Sequence, residues 1–369
     1  MAVVLHHVHR WLPLSAGFVA APMRHSRHRS VVTSAEPVEH RVAFPQRPVV
    51  DLSRLFGLPS WVRPRPPTLG IGAVALATRA RIVHAHFGYA LPQVSGAVRR
   101  LGLPLVLSLH GQDVTGLPRQ HPAHYAGLLD LPAAVVVPSR WLAERAAELG
   151  VPQDRLHVIG SGVDNELWRP SPLPQGPPTV AFVGRLVEKK GLDVLLAAWP
   201  QVRDRVPEAR LEIIGDGPLR RLLDTAPPGV THHLPDPADP AGQARSLVAR
   251  SSVVTTPSRT AADGDAESLL LVNLEAQAAG RPVVTTRHGG IPEYVEEGGS
   301  ALVVPENDPR ALAEALVRVL TDRPLADRLA ARGPQVAAAH DVRQTAARLD
   351  DLYDALLPLR GTRWPSTMR

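Results

Sequence analysis

Residues Thr179 to Pro200 read TVAFVGRLVEKKGLDVLLAAWP. A β-branched apolar run ends at Gly184, a basic loop follows, and a helix-forming segment begins near Gly191. A continuous apolar run of this length is how a strand buried on both faces of a parallel sheet reads. The helix directly after it makes the segment half of a βαβ unit. The loop is also unusual in composition. The chain holds 41 basic side chains, of which only Lys189 and Lys190 are lysines, and both lie here, just beyond Arg185.

The same pattern recurs along the chain. AVVLHHV near the N-terminus reads as a first strand rather than a signal peptide. Further strands are expected in RIVHAHF (Arg81 to Phe87), PLVLSLH (Pro104 to His110), AAVVVPS (Ala133 to Ser139), RLHVIGSG (Arg155 to Gly162), RLEIIGDG (Arg210 to Gly217), SVVTTPS (Ser252 to Ser258) and RPVVTTR (Arg281 to Arg287). Helical segments fall between them, such as SRWLAERAAELG, with Ser139 at its start and Gly150 past its last turn. Strands alternating with helices predict a doubly wound α/β architecture. RPSPLPQGPP (Arg169 to Pro178) has five prolines in ten residues and can continue neither a helix nor a central strand. It divides the chain into an N-terminal domain over 1–168, a linker over 169–178, a C-terminal domain over 179–340 and a final helical segment over 341–369.

Composition narrows the function classes. At 369 residues and 44% apolar, the chain supports two ordinary cores. It has no cysteine, which excludes disulfides, thiolate metal sites and a cysteine nucleophile. No apolar run reaches the roughly 18 residues of a membrane span. Charge is uneven: residues 1–100 hold 13 Arg against 3 acids, while the other 269 hold 28 basic and 32 acidic side chains. An anionic partner is therefore expected on the N-terminal side. MRHSRHR (Met23 to Arg29) and WVRPRPP (Trp61 to Pro67) lack the aromatic interleaving of a single-strand binder and any nucleic-acid motif. The expected partner is thus an anionic membrane surface or an acceptor, not nucleic acid.

Three constellations carry chemistry. Arg185 at a strand end, Lys190 and the free N–H groups of the following helix converge where a phosphate can bind. Such a Lys-Lys pair would otherwise be a solvated turn. In DGDAESLLLVNLEAQAAG (Asp263 to Gly280), Glu267 lies before a helix starting near Leu270, and Glu275 lies on it. The N–H groups of Leu271 and Val272 are placed to meet an anion. Ionised carboxylates accept from sugar hydroxyls; without the basic loop, the pair would read as ordinary helix acids. No metal site is expected, since no third ligand has suitable spacing. LVLSLHGQDV ends a strand in His110, well placed at a carboxyl edge. His84 and His86 read equally well as packed or surface groups.

Taken together, HAHFG, LSLHGQDV, VPSRWLAERAAELGVPQDRLHVIGSGVDNELWRP, FVGRLVEKKGLDVLL, LEIIGDGP, EAQAAGRPVVTTRHGGIPEYV and DVRQTAARLDDLYDALL resemble the retaining glycosyltransferases of sequence family 4. The resemblance covers most of the chain. It implies the GT-B fold, two Rossmann-like doubly wound domains facing a central cleft, with the final helix crossing back to the N-terminal domain. It implies a nucleotide sugar as donor substrate, UDP- or GDP-linked, with no cofactor and no metal. Arg185 and Lys190 would bind the diphosphate, Glu267 the transferred sugar, and Glu275 the ribose. His110 would act beside the donor sugar, and His233–Leu234 would hold the base. The acceptor would be a glycan or lipid-linked glycan at the cytoplasmic membrane face.

The sequence departs from the family pattern in three places. Ser268-Leu269-Leu270 follows the first Glu where the family commonly has Gly-Phe/Leu-Gly/Pro, which sets Leu270 beside the sugar. No Gly-Gly loop follows the first strand, and Gly17 in LPLSAGF stands nearest to one. Residues 23–67 are shorter than a standard second βα unit. These departures motivate the alternative, a non-catalytic GT-B-like subunit that binds a nucleotide or a partner.

Overall fold

The computed structural model describes residues 1–11, 17–38, 49–53 and 67–357. The chain forms two compact units, Met1–Gly160 with Arg343–Arg369, and Ser161–Val342.

The first unit is built on a seven-stranded parallel sheet. Its strands are β1 (Val3–Val8), β2 (Arg29–Ser34), β3 (Val49–Asp51), β4 (Ile82–His86), β5 (Leu105–Ser108), β6 (Ala134–Val137) and β7 (Leu156–Val158), in the order β3-β2-β1-β4-β5-β6-β7. The second unit has β8 (Thr179–Val183), β9 (Arg210–Ile214), β10 (Val230–His233), β11 (Val253–Thr256), β12 (Val283–Thr286) and β13 (Ala301–Val304), in the order β10-β9-β8-β11-β12-β13. Each sheet runs outward from its first strand and then reverses, so each has a topological switch point, between β1 and β4 and between β8 and β11. Ligands of open α/β sheets bind outside the carboxyl ends of the strands at such points.

The central strands are the apolar runs read from the sequence, and they are buried along their length: β4, β5, β6, β11 and β12 expose no residue. β2, β3, β10 and β13 add to the strands expected from the sequence. β3 and β10 are sheet edges with half-exposed residues, and β13 carries half-buried positions between its buried ends. β2 carries only two apolar residues, in RSVVTS, directly after a charged stretch. β2, β3 and β10 lack the continuous apolar run that marks a strand buried on both faces; β13, which reads ALVV, has such a run and lies at the edge of its sheet.

The units divide at Gly160/Ser161, ahead of the proline-rich run. Val163 and Trp168 are buried in the second unit's core, and the run itself is tied down there. The fully buried Arg281 donates to the carbonyl oxygens of Val248 (3.2 Å), Ala249 (3.0 Å) and Ser171 (3.0 Å), and to the Ser171 hydroxyl. A guanidinium removed from water needs this many acceptors, and meeting that need fastens the segment to its own unit.

The final helix, Val342–Leu356, belongs to the first unit. Asp350 accepts from the Ser26 hydroxyl (2.5 Å) and the Arg27 N–H (2.8 Å), while the Arg27 guanidinium pairs with Asp351 (2.9 Å) and Asp354 (2.5 Å). Part of the basic MRHSRHR stretch is thereby engaged within the fold. WVRPRPP lies outside the described residues except Pro67, which opens a helix. Among the described residues, no helix is long and apolar enough to cross a membrane.

Candidate functional site

In the second unit the loop after β8 is shaped by close backbone approach. Gly191, at φ 66°, precedes the helix Leu192–Arg205, and a Cβ there would lie 1.9 Å from the Pro257 carbonyl oxygen. Any other residue would push the β8 loop off the loop following β11. That approach brings the two basic residues onto the carboxylates of the neighbouring loop. Lys190 Nζ lies 2.8 Å from Glu267 Oε1, and Lys189 Nζ lies 3.0 Å from Asp265 and 3.9 Å from Glu267. The four charges therefore meet at the β8/β11 switch point.

Burial alone would raise the Glu267 pKa, but Lys190 and Lys189 overcome it and hold the carboxyl below its ordinary range. Burial lowers Lys190, with Glu267 opposing the shift and Lys189 and Arg185 adding to it. Arg185 is exposed, and no hydrogen bond or ion pair engages it among the described residues. Lys189 is not the solvated lysine of an ordinary turn. It is 5% exposed and locked to Asp265, so both lysines are enclosed, Lys189 against Asp265 and Lys190 against Glu267.

The helix Leu271–Ala278 follows, with Leu270 as its N-cap and no side chain capping that end. Leu270 is buried, while Leu271 and Val272 are half-buried, so their N–H groups start the helix uncapped. A buried network beneath this helix fixes its angle. Thr256 donates to Asn273 Oδ1 (2.7 Å), and Asn273 Nδ2 donates to Thr285 (3.2 Å). Glu275 lies half-buried on the helix. Burial pushes it up to about 7, with Arg245 pulling the other way.

Two residues that the sequence motifs do not single out hold Glu267 from behind. His288 Nε2 accepts from the Glu267 N–H at 3.0 Å, and His288 Nδ1 meets Glu306 Oε1 at 2.7 Å. The signal available in the sequence is the HGG turn closing β12.

In the first unit, His110 ends the β5 segment, and its N–H donates to Asp113 (2.8 Å). Its ring packs against Phe18 (4.9 Å) and Phe87 (4.6 Å), and Phe87 sits at φ 69°, uncommon for a residue with a side chain. Burial pulls His110 down to about 4, and its buried Nε2 has no protein partner among the described residues. A neutral imidazole with an unsatisfied nitrogen costs free energy unless something else supplies the partner. Gly17 opens the helix Gly17–His25, and a Cβ there would meet nothing within 4 Å; residues 12–16 of LPLSAGF lie outside the described residues. His233 ends β10 beside Glu212, 3.5 Å away, and Leu234 is half exposed.

His6, His84 and His86 bring ring nitrogens within 4.8 Å of one another, a spacing that suggests a metal. Two of the ring pairs stack, His84 and His86 4.2 Å apart at 23° and His6 and His86 5.3 Å apart at 18°, while His6 and His84 tilt at 37°. His84 engages the Tyr353 hydroxyl (2.6 Å) through one nitrogen and Ser108 (2.7 Å) through the other, and His6 Nδ1 meets His86 Nε2 (3.0 Å). Burial holds His84 and His86 well below the ordinary histidine range, helped by their imidazole neighbours. HAHFG thus contributes packed, neutral core groups.

Fold and site define a two-unit, doubly wound α/β protein with a charged constellation at the second unit's switch point. Residues 28–167 match the family model described as Glycosyltransferase Family 4, and residues 177–322 match Glycosyl transferases group 1. The chain is 35% identical over 264 residues to WcaL of Escherichia coli, assigned to colanic acid biosynthesis as a glycosyltransferase; the match covers 66% of this chain and 63% of WcaL, under two thirds of that relative's length. It is 32% identical over 307 residues to a GDP-mannose-dependent alpha-(1-6)-phosphatidylinositol monomannoside mannosyltransferase of Mycobacterium tuberculosis, covering 78% of this chain and 79% of that protein. The crystal structure of Anabaena Alr3699/HepE with UDP-glucose superposes with a TM-score of 0.78 at 21% identity, covering 96% of this chain and all of that one, which establishes the GT-B fold. The chain belongs to the group 1, family 4 glycosyltransferases.

Proposed function

We propose that the protein is a retaining, metal-independent glycosyltransferase. It moves a sugar from a UDP- or GDP-linked donor to a glycan or lipid-linked acceptor in polysaccharide or glycoconjugate synthesis. The observation that carries this reading is the Lys190–Glu267 pair at the β8/β11 switch point, 2.8 Å apart, with the unengaged Arg185 on the same loop. When the bond to the sugar breaks, negative charge builds on the leaving diphosphate. Arg185, Lys190 and the helix N-terminus after Gly191 neutralise it. Glu267, kept ionised by the lysines, accepts from sugar hydroxyls, and Glu275 accepts from the ribose. His110 offers its neutral imidazole to the donor sugar, and His233–Leu234 holds the base.

An anionic lipid surface as the seat of the acceptor has separate support. The helix Pro67–Thr78 carries no charge, and Leu69, Ala73, Leu76 and Ala77 form an exposed apolar stripe along it. Exposed Arg79, Arg99 and Arg100 lie in the segments that follow. An apolar face with arginines suits the interface of an anionic bilayer.

The test is nucleoside diphosphate release from a panel of UDP- and GDP-sugars, with lipid extract as acceptor source, with and without EDTA. One donor is expected to turn over, unaffected by EDTA. Loss of turnover in EDTA would overturn metal independence. Binding without turnover of any donor would favour the non-catalytic subunit.

A further inference from the structure

The polar groups around the Glu267 backbone have one consistent proton assignment. His288 Nε2 lies 3.0 Å from the Glu267 nitrogen, whose hydrogen points at it. A ring nitrogen that accepts a hydrogen bond carries no proton, so the proton sits on Nδ1. Nδ1 then donates to Glu306 Oε1 at 2.7 Å. The other Glu306 oxygen, Oε2, accepts from the Thr260 N–H at 2.8 Å, in the loop after β11 that also carries Glu267. The imidazole is 2% exposed, which leaves no water to replace either bond.

The same turn holds the other side of the peptide. Gly290 N–H donates to the Glu267 carbonyl at 3.1 Å. Gly289, at φ 53°, passes so close that a Cβ would lie 1.9 Å from that carbonyl oxygen. Both backbone polar groups of Glu267 are therefore gripped by the turn after β12, while its carboxylate is held by Lys190.

We propose that His288, oriented by Glu306, is a positioning residue that fixes the Glu267 carboxylate for sugar transfer through the Glu267 backbone. The proposal rests on the transferase reading above. His288 touches neither donor nor acceptor. It sets where the carboxylate that does so can sit, and diphosphate binding by Arg185 and Lys190 does not depend on it.

The test compares His288→Leu, which fills the space without an acceptor, with His288→Gln, whose side-chain oxygen restores one. In His288→Leu, kcat is expected to fall about tenfold or more with the Kd for free UDP or GDP little changed, and His288→Gln is expected to regain most of the loss. Hydrogen exchange of the Glu267 amide, which requires no activity, is expected to accelerate in the Leu variant and recover in the Gln variant. Equal loss of turnover and nucleotide affinity would overturn the proposal, as would a Gln variant no better than Leu. Should the wild type turn over no nucleotide sugar, the transferase reading fails, while the exchange result still decides whether His288 holds Glu267.

Discussion

Glu275 and Glu267 are both carboxylates at one helix, yet their surroundings push them in opposite directions. For Glu267 two lysines offset the cost of burial, whereas Glu275 is desolvated with only Arg245 acting against the shift. Its folded value of about 7 lies above the ordinary 4.5. Raising the pH from 4.5 to 7 therefore ionises the unfolded chain first and lowers stability, and the full penalty stands above pH 7. Glu275→Gln should be more stable than wild type at pH 8, by about 2 kcal/mol after allowance for partial exposure, and equally stable at pH 4. The same substitution should weaken UDP or GDP binding about tenfold at pH 8. Thermal melts at the two pH values with calorimetric titration check both; a variant no more stable at pH 8 would show that the carboxylate is not desolvated. For single residues the sequence marks the type of group but not its partners. Lys190 and Glu267 are legible as members of motifs. The burial of Lys189 is not, because it depends on Asp265 arriving from a loop 76 residues away.

Most central strands are legible as apolar runs. The segment ending at Gly184 and the helix after Gly191 can be read directly because apolar continuity and the glycine both state their role locally. Ser139 likewise caps the helix Arg140–Glu148, its hydroxyl accepting from Leu142 N–H at 3.2 Å. β2 and β10 escape such a reading because a strand with few apolar residues is specified by the neighbours it pairs with, not by its own pattern. The helix Pro67–Thr78 carries a prediction of its own. A stripe of Leu69, Ala73, Leu76 and Ala77 facing out from an uncharged helix should bind anionic liposomes at low salt. Leu76→Glu should abolish co-sedimentation while leaving the melting temperature within a few degrees. Binding that persists in Leu76→Glu, or is absent in the wild type, would rule out this face as a membrane contact.

For the molecule as a whole, the switch-point order of the second sheet places the β8 and β11 loops side by side, and this is what converts two dispersed motifs into one site. The order of motifs and the α/β class are plain in the sequence, and the sheet order explains why residues far apart in the chain meet. Which sugar and base a donor would carry stays illegible there, because the surroundings of Leu270 and His233–Leu234, the residues proposed to meet them, are set by tertiary packing. Everything proposed for the site depends on the β8 loop binding a nucleoside diphosphate through Lys190. Calorimetric titration of UDP and GDP into wild type and Lys190→Ala decides that point. One of the two nucleotides should bind the wild type, with affinity falling at least about tenfold in Lys190→Ala. Unchanged affinity in the variant, or no binding of either nucleotide by the wild type, would refute the diphosphate site.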